Sequence, residues 1–368
     1  MMVGPFVLAL AGSIPLIEAL PSNALSRHGF DWHSIRHLVA FGDSYTYVQG
    51  IHGRTNYSFI GDQFDYAFNA RKLLTNKIVQ SQTGTSAGGP NWLEYLAGCG
   101  VEEGLTSPLS CKKQLWDFAF AGADISAEHL PLHHNYTVSF VNQITQYTTF
   151  AHPVLATPNS HGSHAILNPE STLVAIWIGI NDINDSAAGN DGYGAAIPSF
   201  PAFYNTLMST LFDSVSTLHE LGYRNYLFLN LPPLDRNPAN QDELPENRSP
   251  NATQVGWFNS ALERHASLFR SRHGDGDGDG DDATTVLLFD AHSVLSGVLD
   301  SPGAYGIVNT TDFCPGYDQP DIGTNYEAYG CPTALETYFW YNSGHITSRV
   351  HEILAKALGA FLGGWKGD

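Results

Sequence analysis

The chain is short of basic residues, of long apolar runs and of cysteine, and each shortage removes a class of function. Lys and Arg number 17 against 36 Asp and Glu in 368 residues, a formal net charge of -19. A surface of that sign repels nucleic acids and anionic membrane faces, so the expected partner is a neutral or cationic small molecule. Beyond the first residues no segment is apolar enough to span a bilayer. The opening MMVGPFVLALAGSIPLIEALPSNA, apolar and then small, has the pattern of a cleaved secretory leader over about residues 1–22, although a basic start is missing and Glu18 interrupts its end. Residues 23–368 are then the mature chain, expected outside the cell.

Four cysteines in an exported chain point to two disulfides, for which three pairings exist. Cys99 with Cys111 and Cys314 with Cys331 close the shortest loops at the smallest entropic cost. The spacings do not resemble paired CxxC hooks for zinc, and no metal site is expected. Sequons at Asn56, Asn135, Asn247, Asn251 and Asn309 fit a glycoprotein; Asn184 also forms one but lies beside a candidate catalytic loop.

Short apolar runs typical of buried parallel strands recur at Leu38–Phe41, Leu173–Ile178, Tyr226–Leu229 and Val286–Phe289, with a fainter one at Trp116–Phe120. Between them lie helical patterns at Pro201–Leu221, Thr253–Phe269 and Ile346–Leu362. In the first of these Phe203, Leu207, Leu211, Val215 and Leu218 share a face. Alternation of this kind predicts an α/β fold, a mostly parallel sheet between two helical layers in one domain. Weakly periodic residues 50–115 read as an insertion after the first strand. Gly274–Asp282 begins like a calcium loop, but Val286 stands where the twelfth-position Glu belongs, so it reads as an acidic surface loop.

Active sites of doubly wound sheets form beyond the carboxyl ends of the strands. Gly42-Asp43-Ser44 follows the first strand; the bland reading is a turn with a helix cap, the chemical one a nucleophile in a tight strand-to-helix turn. Gly122 ends Phe118-Ala119-Phe120-Ala121-Gly122 and is either a turn glycine or an amide open to substrate. Asn181 and Asp182 follow the strongest strand; the pair either caps a helix or supplies an amide donor and a loop anchor. His345 precedes the last helical stretch. Among the sixteen histidines, His133, His134, His152, His161, His164 and His351 are read as ordinary packed residues.

Ser44, Gly122, Asn181 and His345, in that order from Val39 to Val350, resemble the GDSL or SGNH hydrolase superfamily, nearest its secreted fungal esterases, which include carbohydrate acetylesterases. The resemblance implies a flavodoxin-like three-layer fold and no cofactor. It further implies Ser44 as nucleophile, His345 as base, and an oxyanion hole from the Ser44 and Gly122 amides with the Asn181 side chain. One departure stands out, because the position three before the histidine, usually an acid, is Asn342. Its carbonyl can orient the imidazole but cannot offer charge; a carboxylate from elsewhere, such as Asp43, is the alternative. Tyr45, Trp340 and Tyr341 beside these positions are candidates to wall an acyl pocket or stack on a sugar, and core packing explains them as well. The expected activity is hydrolysis of short-chain carboxylic esters by a monomer, with a small-molecule or carbohydrate ester as substrate. A lipid acylhydrolase, an inactive carbohydrate-binding protein and a metallohydrolase are the competing readings.

Overall fold

The computed structural model describes residues 30–158, 165–187, 197–274 and 283–364. The leader, His161, His164 and the run at 275–282 lie outside the described residues.

Five strands form the central sheet: β1 His37–Gly42, β2 Gln114–Asp117, β3 Thr172–Trp177, β4 Asn225–Leu229 and β5 Thr285–Phe289. All neighbours are parallel, in the order β2-β1-β3-β4-β5. That is the flavodoxin-like order, whose crevice opens at the switch between β1 and β3. β1 and β3 are buried along their whole length, which is why both read as unbroken apolar runs. The register places Phe41 beside Ile176, and Ile176 beside Phe228, on one face. Trp177, one residue on, points to the other.

Helices cover both faces. Phe41 meets Phe140 of α2 (Phe140–Gln146), and Phe228 meets Phe212 of α4 (Phe200–Glu220), which packs on α5 (Ala252–His273). On the opposite face Trp177 meets Trp92 of α1 (Trp92–Ala97), and Phe289 meets Phe361 of α7 (Ser348–Gly364). α3 (Ile180–Ala187) leaves the end of β3, and α6 (Ala291–Asp300) follows β5. The expected three-layer α/β architecture is therefore observed. In α4 the buried residues include Leu207, Leu211, Val215 and Leu218, the stripe read from the sequence, whereas Phe203 is only partly buried.

Residues 43–113 between β1 and β2 carry two small strand pairs and α1. The Cys99–Cys111 disulfide ties the end of this stretch, and Cys314–Cys331 ties a second irregular segment. Closing loops of this size contributes about 3 kcal/mol each through the unfolded chain. Among the described residues no helix is long and apolar enough to cross a membrane.

The β1–β3 crevice is tight. A Cβ on Gly42 would sit 2.2 Å from the Trp177 carbonyl oxygen, a backbone atom that cannot yield without moving β3. Gly42→Ala is expected to lower stability by about 1–3 kcal/mol or more, read as a lower denaturant midpoint with unchanged slope.

Candidate active site

Ser44 sits in a turn directly beyond β1. The Asp43 carbonyl accepts the amides of Thr46 and Tyr47 at 3.0 Å, and its Oδ1 accepts the Tyr45 amide at 2.9 Å. No helix follows, contrary to the strand-to-helix turn expected from the sequence. Tyr45, Thr46, Tyr47 and Val48 are all buried, and the chain after the turn is drawn across the sheet end instead of winding.

Buried polar side chains clamp both ends of this turn. Gln143 of α2 accepts the Gly42 amide (3.0 Å) and donates to the Gly42 carbonyl (2.8 Å), behaving as an extra piece of strand. Asn91 donates to the carbonyls of Thr46 (2.7 Å) and Tyr47 (2.9 Å). Asp117, at the end of β2, accepts the amides of Val48 (2.7 Å) and Ala119 (3.0 Å). None of the three was singled out from sequence. The one available signal is Gln143 itself, a polar residue on the apolar stripe that holds Phe140 and Ile144.

The histidine comes from the segment before α7. Trp340 and Ile346 bridge in antiparallel fashion, the Tyr341 amide donates to the His345 carbonyl at 2.7 Å, and the Tyr45 hydroxyl donates to the Gly344 carbonyl at 2.7 Å. This hairpin-like bend presents His345 to Ser44, with Nε2 2.7 Å from Oγ. On the other side of the ring Nδ1 lies 2.9 Å from Asn342 Oδ1, which also accepts the amides of Gly344 and His345 at 3.0 Å. Three donors converge on that oxygen, so it is the carbonyl end of the amide that faces the ring. The Nδ1–H tautomer follows, leaving the Nε2 lone pair for the serine hydroxyl. Packing around the ring disfavours its cationic form and lowers its pKa to about 4.

Asp43 does not take the part of the missing acid. Its carboxyl is fully buried and bound to the Ser44 turn, and burial raises its pKa to about 7.

Gly122 and Asn181 lie on neighbouring segments. Gly122 adopts φ 79°, a left-handed conformation that glycine takes without strain. The Asn181 amide donates to the Ala123 carbonyl at 2.9 Å, so its NH2 group stands against the Gly122 loop with a second hydrogen to offer. Asp182 accepts the Ile125 amide through both oxygens at 3.0 and 3.1 Å. It anchors the loop, as the sequence reading assigned to it.

The proposed aromatic walls fare differently. Trp340 is 0% exposed and its indole N–H donates to the Thr310 carbonyl at 2.9 Å. Tyr45 is buried between Trp177 and His345, and Tyr341 is buried edge-on against Tyr317. No ring face is left for a sugar, because these side chains are the packing that holds the histidine segment. His351 is also buried, its ring edge-on to Tyr45, and burial together with His345 lowers its pKa to about 3. His152 faces the Tyr223 hydroxyl as a partly buried, packed residue, whereas His134, also read as packed, is exposed and only stacks on Tyr136. His133 departs from that reading, with Nε2 2.6 Å from Asp185 Oδ2.

Residues 38–358 match the model of the GDSL-like lipase/acylhydrolase family. The chain belongs to that family. It is thereby an ester hydrolase, and the match runs from within β1 into α7. An acetylesterase of Thermothelomyces thermophilus is 25% identical over 336 residues, covering 91% of this chain and 90% of the relative. Solved structures with some likeness include LAE5, an alpha/beta hydrolase from the metagenome of Lake Arreo, Spain (13% identical, 89% of this chain and 95% of that one, TM-score 0.39). Another is the extracellular lipase of Streptomyces rimosus (12% identical, 88% and 98%, TM-score 0.38).

Where this GDSL-family chain has Asn342, a carboxylate would face the imidazole at hydrogen-bond distance. Asn342→Asp is expected to raise the pKa of His345 from about 4 by about 1–3. Histidine NMR titration checks the direction; no movement would mean that the side chain does not face Nδ1.

Proposed function

We propose that this chain is a secreted serine esterase that removes short acyl groups, acetyl foremost, from carbohydrates. The observation that carries the catalytic part is the hydrogen-bonded series Ser44 Oγ, His345 Nε2, His345 Nδ1, Asn342 Oδ1. A serine hydroxyl is a poor nucleophile until a positioned base accepts its proton, and neutral His345 is such a base. Ser44 attacks the ester carbonyl while its proton passes to Nε2. The amides of Ser44 and Gly122 and the Asn181 side chain receive the negative charge on the tetrahedral oxygen. His345 returns the proton to the departing alcohol, and water repeats the sequence on the acyl-enzyme. Asn342 orients the ring throughout without adding charge. The scheme uses no metal or cofactor.

The preference for acetate rests on the relationship to the acetylesterase. Secretion is supported by two closed disulfides and by sequons whose asparagines at 56, 135, 247 and 251 are exposed, with Asn309 partly so. We take the mature chain to work as a single-domain monomer.

Hydrolysis of p-nitrophenyl esters from acetate to palmitate tests this. Acetate is expected to be the best substrate, with Ser44→Ala and His345→Ala each losing about 10^4- to 10^6-fold in kcat and Asn181→Ala about a hundred- to a thousand-fold. Preference for palmitate would replace the sugar ester by a lipid, and no Ser44-dependent hydrolysis would leave a binding protein. Since His345 must be neutral to accept the proton, activity is expected to rise with pH through about 4 and to be lost below it.

A further inference from the structure

Three ties join the loop after β2 to α3. Asn181 Nδ2 donates to the Ala123 carbonyl, Asp182 receives the Ile125 amide, and His133 Nε2 meets Asp185 Oδ2 at 2.6 Å. Asn181 and Asp185 stand four residues apart on α3 and therefore share one face of it. The His133 ring covers Gly122 from the other side, since a Cβ on that glycine would come 3.2 Å from Nδ1. The ring is thus wedged between Asp185 at one nitrogen and the Gly122 backbone at the other.

We propose that the His133–Asp185 pair is a positioning device for the oxyanion hole. As an imidazolium–carboxylate pair it braces Gly122 against the helix that carries Asn181 and turns its positive end toward the oxygen on which charge develops. This rests on the proposed roles of Gly122 and Asn181. It assigns the site a charge that Asn342 does not provide, placed on the oxyanion side instead of behind the base.

The surrounding groups favour the charged ring. Asp185 and Asp182 from α3 and Asp43 from the Ser44 turn all draw a proton onto His133 and raise its pKa above the ordinary histidine value, the contact with Asp185 foremost. Asp124, from the loop, is fully buried with neither carboxylate oxygen hydrogen-bonded. Burial and the neighbouring carboxylates raise its pKa, so it stands neutral beside the pair. Asp124, His133 and Asp185 bring one ligand atom each within 4.8 Å of one another. Two ligands on one ion with bonds of about 2.0–2.2 Å stand farther apart than the 2.6 Å between His133 and Asp185, which is the spacing of a shared proton.

The test is the pH dependence of kcat and KM for p-nitrophenyl acetate in wild type, His133→Gln and Asp185→Asn, with thermal unfolding and metal content measured on each. Wild type is expected to show an alkaline limb above about 6.5, because the contribution is present while His133 is protonated and is lost as pH rises through its raised pKa. In His133→Gln kcat falls about tenfold or more with KM within about twofold, a loss confined to the transition state, and the alkaline limb disappears. In Asp185→Asn the limb moves to lower pH. Equal pH profiles in wild type and both folded variants, or stoichiometric divalent metal in the wild type, would overturn the proposal while leaving the serine mechanism standing. Should His133→Gln not fold, the position of the limb in Asp185→Asn decides. A wild type without Ser44-dependent hydrolysis overturns both readings.

Discussion

A single hydrogen bond, 2.7 Å from Ser44 Oγ to His345 Nε2, joins residues 301 positions apart and sets what the remaining structure must hold still. Neither end lies on a regular element. Ser44 is in a turn and His345 in a bend, so neither position follows from helix or strand geometry. The turn is fixed by buried amides and a carboxylate from three other parts of the chain, Asn91, Gln143 and Asp117. The bend is fixed by the Tyr341–His345 backbone bond and by Tyr45, which follows the nucleophile and reaches across to the Gly344 carbonyl. Tyr45 thus couples the two ends directly, and its ring packs on His345 as well. Hydrogen bonds of this kind, away from water, reinforce one another and stiffen the arrangement they hold.

The electrostatics follow from burial. A desolvated His345 stays neutral and ready to accept a proton, and Asn342 suits that state because it needs only an Nδ1–H donor. A carboxylate at that place would support the imidazolium, at the expense of raising the pH at which the base becomes free. Near His133, Asp43, Asp124 and Asp182 are buried and their pKa values raised. The pKa of His133 is raised as well, first by its hydrogen bond with Asp185, which favours its cationic form.

The scaffold was legible in the sequence because parallel strands buried on both faces leave long apolar runs, and each run fell on a strand to within a few residues. The weakest, at Trp116, proved to be an edge strand of four residues, Gln114–Asp117, partnered on one side only. Ser44 and His345, which the structure brings to 2.7 Å of each other, were singled out through their order along the chain. What escaped was the support around them. Asn91 and Gln143 act through backbone carbonyls and amides far away in sequence, and no local pattern announces such a partner. Tyr45, Trp340 and Tyr341 were read as either substrate walls or core packing, since aromatics beside a candidate catalytic residue suit either task, and burial decides in favour of packing. His133 lay among loop residues with nothing nearby to mark it, since its partner Asp185 is 52 positions away.

Covalent trapping tests the central claim most directly. A fluorophosphonate should react with the folded protein once per chain, and mass spectrometry of the digested adduct should place the phosphonyl group on Ser44. Adduct on another residue, or none on a folded protein, would contradict the assignment of Ser44 as nucleophile and His345 as its base.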